Sequence, residues 1–377
     1  MPKKILIFSD WFAPGFKAGG PIRSLINITS TWPFESHVFC GDRDLGDTQP
    51  YSDITRDSWL TFNDRTMVYY QSPKSRSWKN VQAVIRSESW DGYYFNSLFS
   101  VWFTILPLLY LKITGNLQKV TLAPRGMFHL AAYSQKKWKK SIFVFCAKNL
   151  GLWNGITWHA TSELEAERIK LIVGRNSHIV SLPNVPNFNP RTAFPPWNAQ
   201  RQNWLMVTRI SPEKGVWEGI KWLGESDFWN KVELQIVGPI ENQDYHERCL
   251  QLLKEYPGLT VVFHGDVPFE SLSEFRNKAH VFYSATKGEN FGHAIAESIL
   301  AGLPVIISNQ TPWLELEEKG IGYDVDWNQW SFQEAFHKWF SQDEDQYLLR
   351  EMKMKLFREN WIKDHLEAMK WNDLFRF

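Results

Sequence analysis

The strongest chemical signal in the sequence is a pair of carboxylates, Glu289 and Glu297, with seven residues between them. They lie in K-G-E-N-F-G-H-A-I-A-E-S-I-L-A-G-L-P-V-I-I-S, residues 287–308, where a helix is predicted to start near Gly292. The start of a helix leaves backbone N–H groups open and carries a positive dipole end, which suits an anionic ligand. A carboxylate can accept two hydrogen bonds from a vicinal diol of a ribose or a hexose. The stretch therefore predicts a site for a phosphate and for sugar hydroxyls.

Two cations follow an earlier apolar strand, Trp204–Val207. Arg209 and Lys214 lie in T-R-I-S-P-E-K-G, directly after that strand. Two fixed positive charges at one strand end match the charge of a diphosphate without a metal. The alternative is a solvated loop with a surface ion pair to Glu213.

The first half of the chain contains two weaker signals. Gly19 and Gly20 precede Pro21 between a predicted strand and a predicted helix, as in a phosphate-binding turn, although a tight turn that needs glycine for steric reasons is the alternative. Arg125 and His129 follow the predicted strand at 120–123, in P-R-G-M-F-H. A guanidinium at a strand end suits phosphate, whereas a satisfied or solvated histidine is as good an interpretation of His129.

Strands alternate with helices through both halves of the sequence. This pattern predicts an α/β protein with parallel sheets covered on both faces, which bind ligands at the carboxyl ends of their strands. The length of 377 residues favours two domains, and residues 187–203 have three prolines and no periodicity, which is typical of a linker. The most apolar segment, 98–111, is too short to span a bilayer and is predicted to be a buried helix.

The composition is that of an ordinary globular protein, with 44% hydrophobic and 22% charged residues. The three cysteines, Cys40, Cys146 and Cys249, are odd in number and far apart. This argues against a disulfide framework or a zinc site and fits a reducing cytosol. Lys3 and Lys4 precede only a short predicted strand, so we expect no signal peptide.

Charge is distributed unevenly, although the net charge is only +1. Residues 1–193 contain 23 Lys and Arg against 13 Asp and Glu, and the remaining residues contain 19 against 28. In the acid-free interval between Asp91 and Glu163, Gln135–Leu150 resembles a basic amphipathic helix that rests on anionic lipid. The alternative is a core-packing helix with a solvated first turn. The four lysines around Trp138 are Lys136, Lys137, Lys139 and Lys140.

Together these motifs resemble the retaining glycosyltransferases of family four. The resemblance rests on R-x4-K, on E-N-F-G within E-x7-E, and on the A-G-L-P-V-I that follows. The first half adds G-G-P, L-A-P-R-G-M, H-A-T-S-x-x-E and L-P-N. It implies the GT-B fold, two Rossmann-like domains facing each other across a cleft. We accordingly predict an acceptor-binding domain over 1–190, a linker over 191–203, a donor-binding domain over 204–355 and a C-terminal helix over 356–377 that packs back toward the first domain.

The resemblance implies a role for each matched residue. Arg209 and Lys214 hold the donor diphosphate and stabilise the leaving nucleotide, Glu289 contacts hydroxyls of the transferred sugar, and Glu297 binds the ribose diol. The catalytic set is thus Arg209, Lys214 and Glu289. The donor-binding set is Gly19, Gly20, Asn290, Phe291, Gly292 and Glu297, and the candidate acceptor residues are Arg125 and His129. Many relatives have a histidine at the strand end where this chain reads Pro124-Arg125-Gly126, and Asn290 stands where a glycine is common.

No metal or cofactor is expected. Asp42-Arg43-Asp44 and Asp324-Val325-Asp326 look like the D-x-D metal signature of the other glycosyltransferase fold, but both lack its flanking context. We assign no protein nucleophile, because family members are described as substituting on the front face of the sugar.

The predicted function is sugar transfer from a UDP- or GDP-linked donor to a glycan or lipid-linked glycan of a bacterial surface polysaccharide, such as lipopolysaccharide, capsule or exopolysaccharide. We expect a cytoplasmic enzyme at the inner face of the plasma membrane, in contact with anionic lipid through its basic first domain, and no nucleic-acid partner. The alternatives are a nucleotide-sugar epimerase or phosphorylase of the same fold, and a catalytically silent scaffold that binds sugar nucleotides or partner proteins.

Overall fold

The structure of the protein is a computed structural model that describes residues 2–128, 137–186, 189–289, 291–367 and 369–377. Its contacts divide the chain into two compact units, Met1–Val185 with Met369–Phe377, and Pro186–Ala368. Helices alternate with the strands of a mainly parallel sheet in each unit. The predicted α/β class with two parallel-sheet units is therefore confirmed.

The described part of the first unit contains one eight-stranded sheet. Its strands are β1 (Lys4–Phe8), β2 (Glu35–Gly41), β3 (Trp59–Asn63), β4 (Thr66–Gln71), β5 (Gly92–Phe95), β6 (Val120–Leu122), β7 (Thr157–Ala160) and β8 (His178–Ser181). Their order is β3-β4-β2-β1-β5-β6-β7-β8, and only the β3–β4 edge pair is antiparallel. Its helices are α1 (Gly20–Thr31), α2 (Trp78–Arg86), α3 (Leu106–Ile113), α4 (Lys137–Asn149) and α5 (Glu163–Val173).

The core of the first unit is built from apolar strands that are covered on both faces. β1 reads K-I-L-I-F and is buried from Ile5 to Phe8, as expected of a central parallel strand. The ring of Phe8 stacks on Phe95 of β5, with ring centroids 4.9 Å apart. The last residues of the chain complete this core, because Phe375 packs edge-on against Trp32 at 6.0 Å.

The second unit contains a six-stranded parallel sheet in its described part. Its strands are β9 (Gln202–Val207), β10 (Val232–Val237), β11 (Thr260–Gly265), β12 (Val281–Ser284), β13 (Val305–Ser308) and β14 (Gly322–Val325), in the order β11-β10-β9-β12-β13-β14. Its helices are α6 (Val216–Gly224), α7 (Gln243–Leu253), α8 (Leu272–Lys278), α9 (His293–Ala301), α10 (Gln329–Phe340) and α11 (Glu344–Trp361). The core centres on Trp204 of β9, whose ring contacts Tyr283 and Phe336.

The stretch predicted as a linker is part of the second unit. Arg191 is buried there, and its guanidinium donates to the carbonyl oxygens of Ala279 and Gly302, each at 2.8 Å. Prolines disfavour regular structure in this stretch before β9 begins at Gln202, but they do not prevent the loop from docking on the second unit.

Two helices differ from the predictions. The apolar segment at 98–111 begins with a π-helical turn, Val101–Ile105, before α3. Pro107 has no N–H to donate to the carbonyl group of Phe103, which interrupts the regular α-helical ladder at this point. The C-terminal helix ends at Trp361, and a π-helical turn at Ile362–Glu367 and a 3-10 turn at Trp371–Leu374 follow.

Candidate functional site

The two strongest sequence motifs meet at the carboxyl ends of β9 and β12. β9 pairs with β10 on one side and with β12 on the other, so the strand order reverses direction between β9 and β12. Such a topological switch point opens a crevice for ligands in α/β sheets. Arg209 and Lys214 follow β9, and Glu289 follows β12. The sheet order therefore makes neighbours of two motifs that are far apart in the sequence.

Lys214 and Glu289 form an ion pair at this switch point. The Lys214 Nζ lies 2.7 Å from Oε1 of Glu289, and the two side chains are 14% and 23% exposed. Gly215 allows this approach, because its φ is +65° and a Cβ would lie 1.9 Å from the carbonyl oxygen of Ala285. The arrangement offers one ammonium group and one carboxylate, half-buried and side by side, to a ligand at the rim.

Arg209 lies on the same strand end and is more exposed. Its Nη1 lies 2.5 Å from Oε1 of Glu241, and its Nη2 lies 4.0 Å from Oε1 of Glu213. The surface pair with Glu213 that the sequence suggested is thus present, in addition to the Glu241 contact that the sequence did not suggest. Exposed pairs of this kind contribute about 0–1 kcal/mol, so the guanidinium can exchange them for an anionic ligand.

The loop from Glu289 to Gly292 leads into α9 as predicted. Gly292 is the N-cap residue of α9 and adopts left-handed backbone angles, φ 74° and ψ 59°. Among the described residues, no group accepts a hydrogen bond from the backbone N–H of Phe291 or Gly292. These two donors and the start of α9 favour an anion here. Asn290, the remaining residue of E-N-F-G, lies outside the described residues.

Glu297 occupies a different environment from Glu289. It lies within α9 and is buried, and its Oε2 is 2.6 Å from Nη2 of Arg276 in α8. Sequence reasoning missed Arg276, since nothing in the spacing relates α8 to α9. The ribose contact of Glu297 stays a prediction, and Arg276 is the residue that orients its carboxylate.

The two glycines of the first unit lie at the equivalent edge of the other sheet. Gly19 is the N-cap residue of α1 with φ 67°, a backbone conformation that favours glycine, and Gly20 is the first helical residue. β1 pairs with both β2 and β5, so the switch point of this sheet lies between β1 and β5. Asn96, directly after β5, donates from its side chain to the carbonyl oxygen of Pro21 at 3.0 Å.

Arg125 is held by three side chains at the same edge. Its Nε donates to Oδ1 of Asn96 at 2.7 Å, its Nη1 to Oδ1 of Asn184 at 2.7 Å, and its Nη2 to the hydroxyl oxygen of Tyr94 at 2.8 Å. The sequence placed Arg125 at a strand end but had no signal for these partners, which follow or belong to other strands. His129, its companion in the prediction, lies outside the described residues.

A buried histidine completes the network around Arg125. Nδ1 of His159 lies 2.7 Å from the Tyr94 hydroxyl, and its Nε2 lies 2.9 Å from the Leu182 carbonyl oxygen. Burial, together with the nearby Arg125 guanidinium, lowers the pKa of His159 from 6.5 to about 3. The imidazole is therefore neutral at pH 7, with Nε2 as its donor to Leu182, a tautomer that we assign from the network.

Helix α4 exposes an apolar face. Trp138, Ile142 and Phe145 recur at the spacing of one helix face and are 65%, 54% and 69% exposed. Val144 and Ala147 of the same helix are buried, so it also packs on the core as the alternative interpretation required. Lys136 lies outside the described residues, as do the side chains of Lys137 and Lys139. Within the described parts of the chain, no helix has both the length and the hydrophobicity that crossing a bilayer requires.

The two Asp-x-Asp motifs hold loops in place. Asp44 accepts hydrogen bonds from the backbone N–H groups of Phe16 and Lys17, at 2.6 and 3.0 Å. Asp324 accepts from the N–H groups of Glu315 and Leu316, at 3.0 and 2.7 Å.

Comparison with known proteins identifies this architecture. Residues 192–354 match the family model of glycosyl transferases group 1. No curated protein matches the sequence.

Solved structures match along almost the whole chain. Sucrose-phosphate synthase from Thermosynechococcus elongatus has 17% identity and a TM-score of 0.65, with 97% of each chain covered. HepE from Anabaena, in complex with UDP and glucose, has 16% identity and a TM-score of 0.66, with 98% of this chain and 100% of that chain covered.

A third structural neighbour is WaaG, a glycosyltransferase involved in lipopolysaccharide biosynthesis. It has 13% identity and a TM-score of 0.62, with 98% of this chain and 100% of that chain covered. TM-scores of this size over almost the whole chain establish a shared fold, and the fold of these neighbours is GT-B. Residues 192–354, which include Arg209, Lys214 and Glu289, therefore match the glycosyl transferases group 1 family model, and the chain has the GT-B fold.

Proposed function

We propose that this protein is a retaining glycosyltransferase that moves a sugar from a nucleotide sugar to a glycan or lipid-linked glycan. The observation that carries the proposal is the Lys214–Glu289 ion pair at the switch point of β9 and β12, with Arg209 on the same strand end. A cation for phosphate beside a carboxylate for hydroxyls suits both parts of a sugar diphosphate. The group 1 family match supports this ligand class, as do the HepE structures with UDP and glucose and with UDP-glucose.

The charges at the site favour departure of the nucleotide. As the bond from the sugar to the phosphate breaks, the sugar gains cationic character and the diphosphate gains negative charge. Lys214 and Arg209 are fixed positive charges that stabilise this departing anion, which is electrostatic preorganisation. The N–H groups of Phe291 and Gly292 add donors for phosphate oxygens, and Glu289 accepts from hydroxyls of the transferred sugar. Glu297, oriented by Arg276, is the proposed ligand of the ribose diol.

Retention of configuration, independence of a metal and membership of family four rest on the sequence resemblance. In this proposal the acceptor attacks from the face that the leaving phosphate vacates, and the phosphate itself takes up the acceptor proton. No protein nucleophile is needed for such a step. The proposed pathway is a bacterial surface polysaccharide, on the basis of the same resemblance and of WaaG as a structural neighbour.

We also propose that α4 rests on an anionic membrane surface. Its exposed face presents Trp138, Ile142 and Phe145, and Leu150 directly after the helix is 53% exposed. Residues 92–162 contain eight Lys and Arg and no acidic residue, so the surroundings attract anionic lipid. A lipid-linked acceptor would be reached from the cytoplasmic face of the plasma membrane. Apolar burial combined with basic residues is the usual composition of an interfacial helix.

Donor binding is tested with a panel of UDP- and GDP-linked sugars. Thermal unfolding is recorded with each compound, since a ligand at one hundred times its Kd stabilises the folded protein by about 2.7 kcal/mol. The variants are Lys214→Ala and the control Lys221→Ala, whose side chain forms a surface pair with Glu225 at 3.9 Å. Sugar release and transfer are followed by chromatography, with and without added Mg²⁺ or a chelator.

We expect one nucleotide sugar to stabilise the wild type and Lys221→Ala equally. Lys214→Ala should melt normally without ligand and lose the stabilisation, and its turnover should fall by about a hundredfold or more, because a charge that stabilises the leaving group is removed. Full activity of Lys214→Ala would contradict the site. Conversion of the nucleotide sugar to an isomer without an acceptor would mean an epimerase.

A further inference from the structure

We infer that Trp313 is a positioning residue for the proposed donor site, because its indole determines where the Gly292 N–H points. Trp313 lies beyond β13, outside every motif that the sequence singled out. The inference rests on the proposed function, since it assigns a role to a residue that supports the loop of Glu289.

Trp313 binds the backbone of that loop directly. It is 8% exposed, and its indole N–H donates to the carbonyl oxygen of Phe291 at 2.7 Å. The rings of Trp313 and Phe291 also pack edge-to-face, with centroids 5.8 Å apart. One side chain thus contacts both the backbone and the side chain of Phe291.

The geometry of the peptide bond converts this contact into an orientation. The carbonyl group of Phe291 and the N–H of Gly292 belong to one planar trans peptide, so they point in opposite directions. A carbonyl group held by Trp313 therefore fixes the Gly292 N–H on the opposite side. Without that bond, the peptide could rotate more readily, because Gly292 has left-handed angles and no Cβ to restrict it.

The loop that carries Trp313 is itself anchored. Gln310 accepts through its carbonyl oxygen from the Glu289 N–H at 3.0 Å, so this loop contacts the donor loop at two points. The Ser308 hydroxyl donates to the carbonyl oxygen of Thr286 at 2.6 Å. Asp324 of β14 holds the residues after Trp313. The indole is therefore presented from a rigid support.

The oriented N–H has the chemistry of a phosphate ligand. In the described part of the chain no group accepts from it, it lies at the start of α9, and Lys214 is bound to Glu289 three residues earlier. A backbone donor beside an ammonium group favours an oxyanion. Trp313 thus acts on the diphosphate through Gly292, without touching the ligand itself.

Trp313→Phe tests this role, because it keeps an aromatic ring and removes the N–H donor. The control is Trp339→Phe. Trp339 is fully buried in the same unit, and its indole N–H also donates at 2.7 Å, to Oε1 of Gln202 at the opposite end of β9. Trp313→His restores a ring N–H. Binding of UDP and of uridine is measured by calorimetry, with GDP and guanosine if the donor panel selects guanine, and kcat and KM are measured with the corresponding sugar nucleotide.

We expect Trp313→Phe to bind UDP about tenfold more weakly than the wild type, because the hydrogen bond from the Gly292 N–H to the charged diphosphate is weakened. Uridine has no phosphate, so Trp313→Phe should bind it as well as the wild type does. Trp339→Phe should bind both ligands as the wild type does, and Trp313→His should recover part of the UDP affinity. Equal UDP affinity of the wild type and Trp313→Phe would overturn the inference alone. So would a loss of uridine affinity of the same size, which indicates general damage. A wild type that binds no nucleoside diphosphate would overturn the proposed function and this inference with it.

Discussion

Acid should destabilise the first unit through His159. The side chain is fully buried between the Tyr94 hydroxyl and the Leu182 carbonyl oxygen, and the Arg125 guanidinium belongs to the same network. Protonation would place a second positive charge in this buried network and would remove the acceptor that Tyr94 uses. The folded protein therefore resists protonation, whereas the unfolded chain takes up the proton at the ordinary pKa of histidine.

The size of the effect follows from the pKa of His159, which falls from 6.5 to about 3 on folding. Because the folded-state pKa is the lower one, the stability contributed by the neutral imidazole is complete above about pH 6.5. It is lost progressively as the pH falls toward 3. At about 1.36 kcal/mol per pH unit, the loss between pH 6.5 and pH 5.0 is about 2 kcal/mol.

Urea denaturation at pH 7.5, 6.5 and 5.0, followed by circular dichroism and tryptophan fluorescence, measures this loss. His159→Gln cannot take up the proton, so its free energy of unfolding should decrease by about 2 kcal/mol less than that of the wild type between pH 6.5 and 5.0. The control is His178→Gln, because His178 is exposed on the neighbouring strand β8. It should keep most of the wild-type pH dependence.

Comparison of the variants removes the contribution of the other titrating groups. A lower stability of His159→Gln at every pH does not affect the test, because only the slope of the free energy of unfolding against pH decides the question. If His159→Gln and the wild type lose the same free energy between pH 6.5 and 5.0, His159 is not the group that titrates, and the reasoning is refuted.

Two further predictions concern the docked loop and helix α4. Arg191→Met should lower the free energy of unfolding of the second unit by about 3 kcal/mol, because it removes charged donors to buried carbonyl groups; urea denaturation checks this. The control is Arg201→Met, because the Arg201 side chain is 73% exposed; it should change the free energy of unfolding by less than about 0.5 kcal/mol. An equally small effect of Arg191→Met would contradict the docking of the loop. Ile142→Ser with Phe145→Ser should weaken sedimentation with phosphatidylglycerol vesicles by about tenfold or more. The control is Leu348→Ser with Leu349→Ser, two half-exposed leucines outside α4, and it should leave sedimentation with the vesicles unchanged. Unchanged binding of the α4 variant would refute the membrane contact.

Local signals in the sequence were good guides to individual elements. An S-x-x-E motif is a local signal for the start of a helix, and at the start of α5 the Ser162 hydroxyl oxygen accepts from the Glu165 N–H at 3.2 Å. The sequence contains no local signal for a second contact of Glu165. Its carboxylate accepts from the Gly126 N–H at 2.7 Å and so supports the turn that carries Arg125. A cap depends on residues three positions apart, whereas this second contact depends on the packing of α5 against β7, the strand that pairs with β6.

The donor motifs divide in the same way. R-x4-K and E-x7-E could be found by spacing alone, since each lies within one short stretch of the sequence. That Lys214 touches Glu289, that Glu297 faces Arg276, and that Trp313 holds Phe291 depend on which strands are adjacent. Strand order joins residues that are remote in the sequence, and no local pattern encodes it.

The sequence by itself determined the residue types, the alternation of strands and helices, and the strand ends at which charged groups lie, because these depend on short-range periodicity and on turn chemistry. Only the tertiary structure decided that β9 lies beside β12, which brings two cations and a carboxylate to one switch point. It also decided that the proline-rich stretch after Pro190 docks on the second unit through Arg191. The physical reason is that burial and hydrogen bonding of these groups are satisfied by partners that only the folded chain brings within reach.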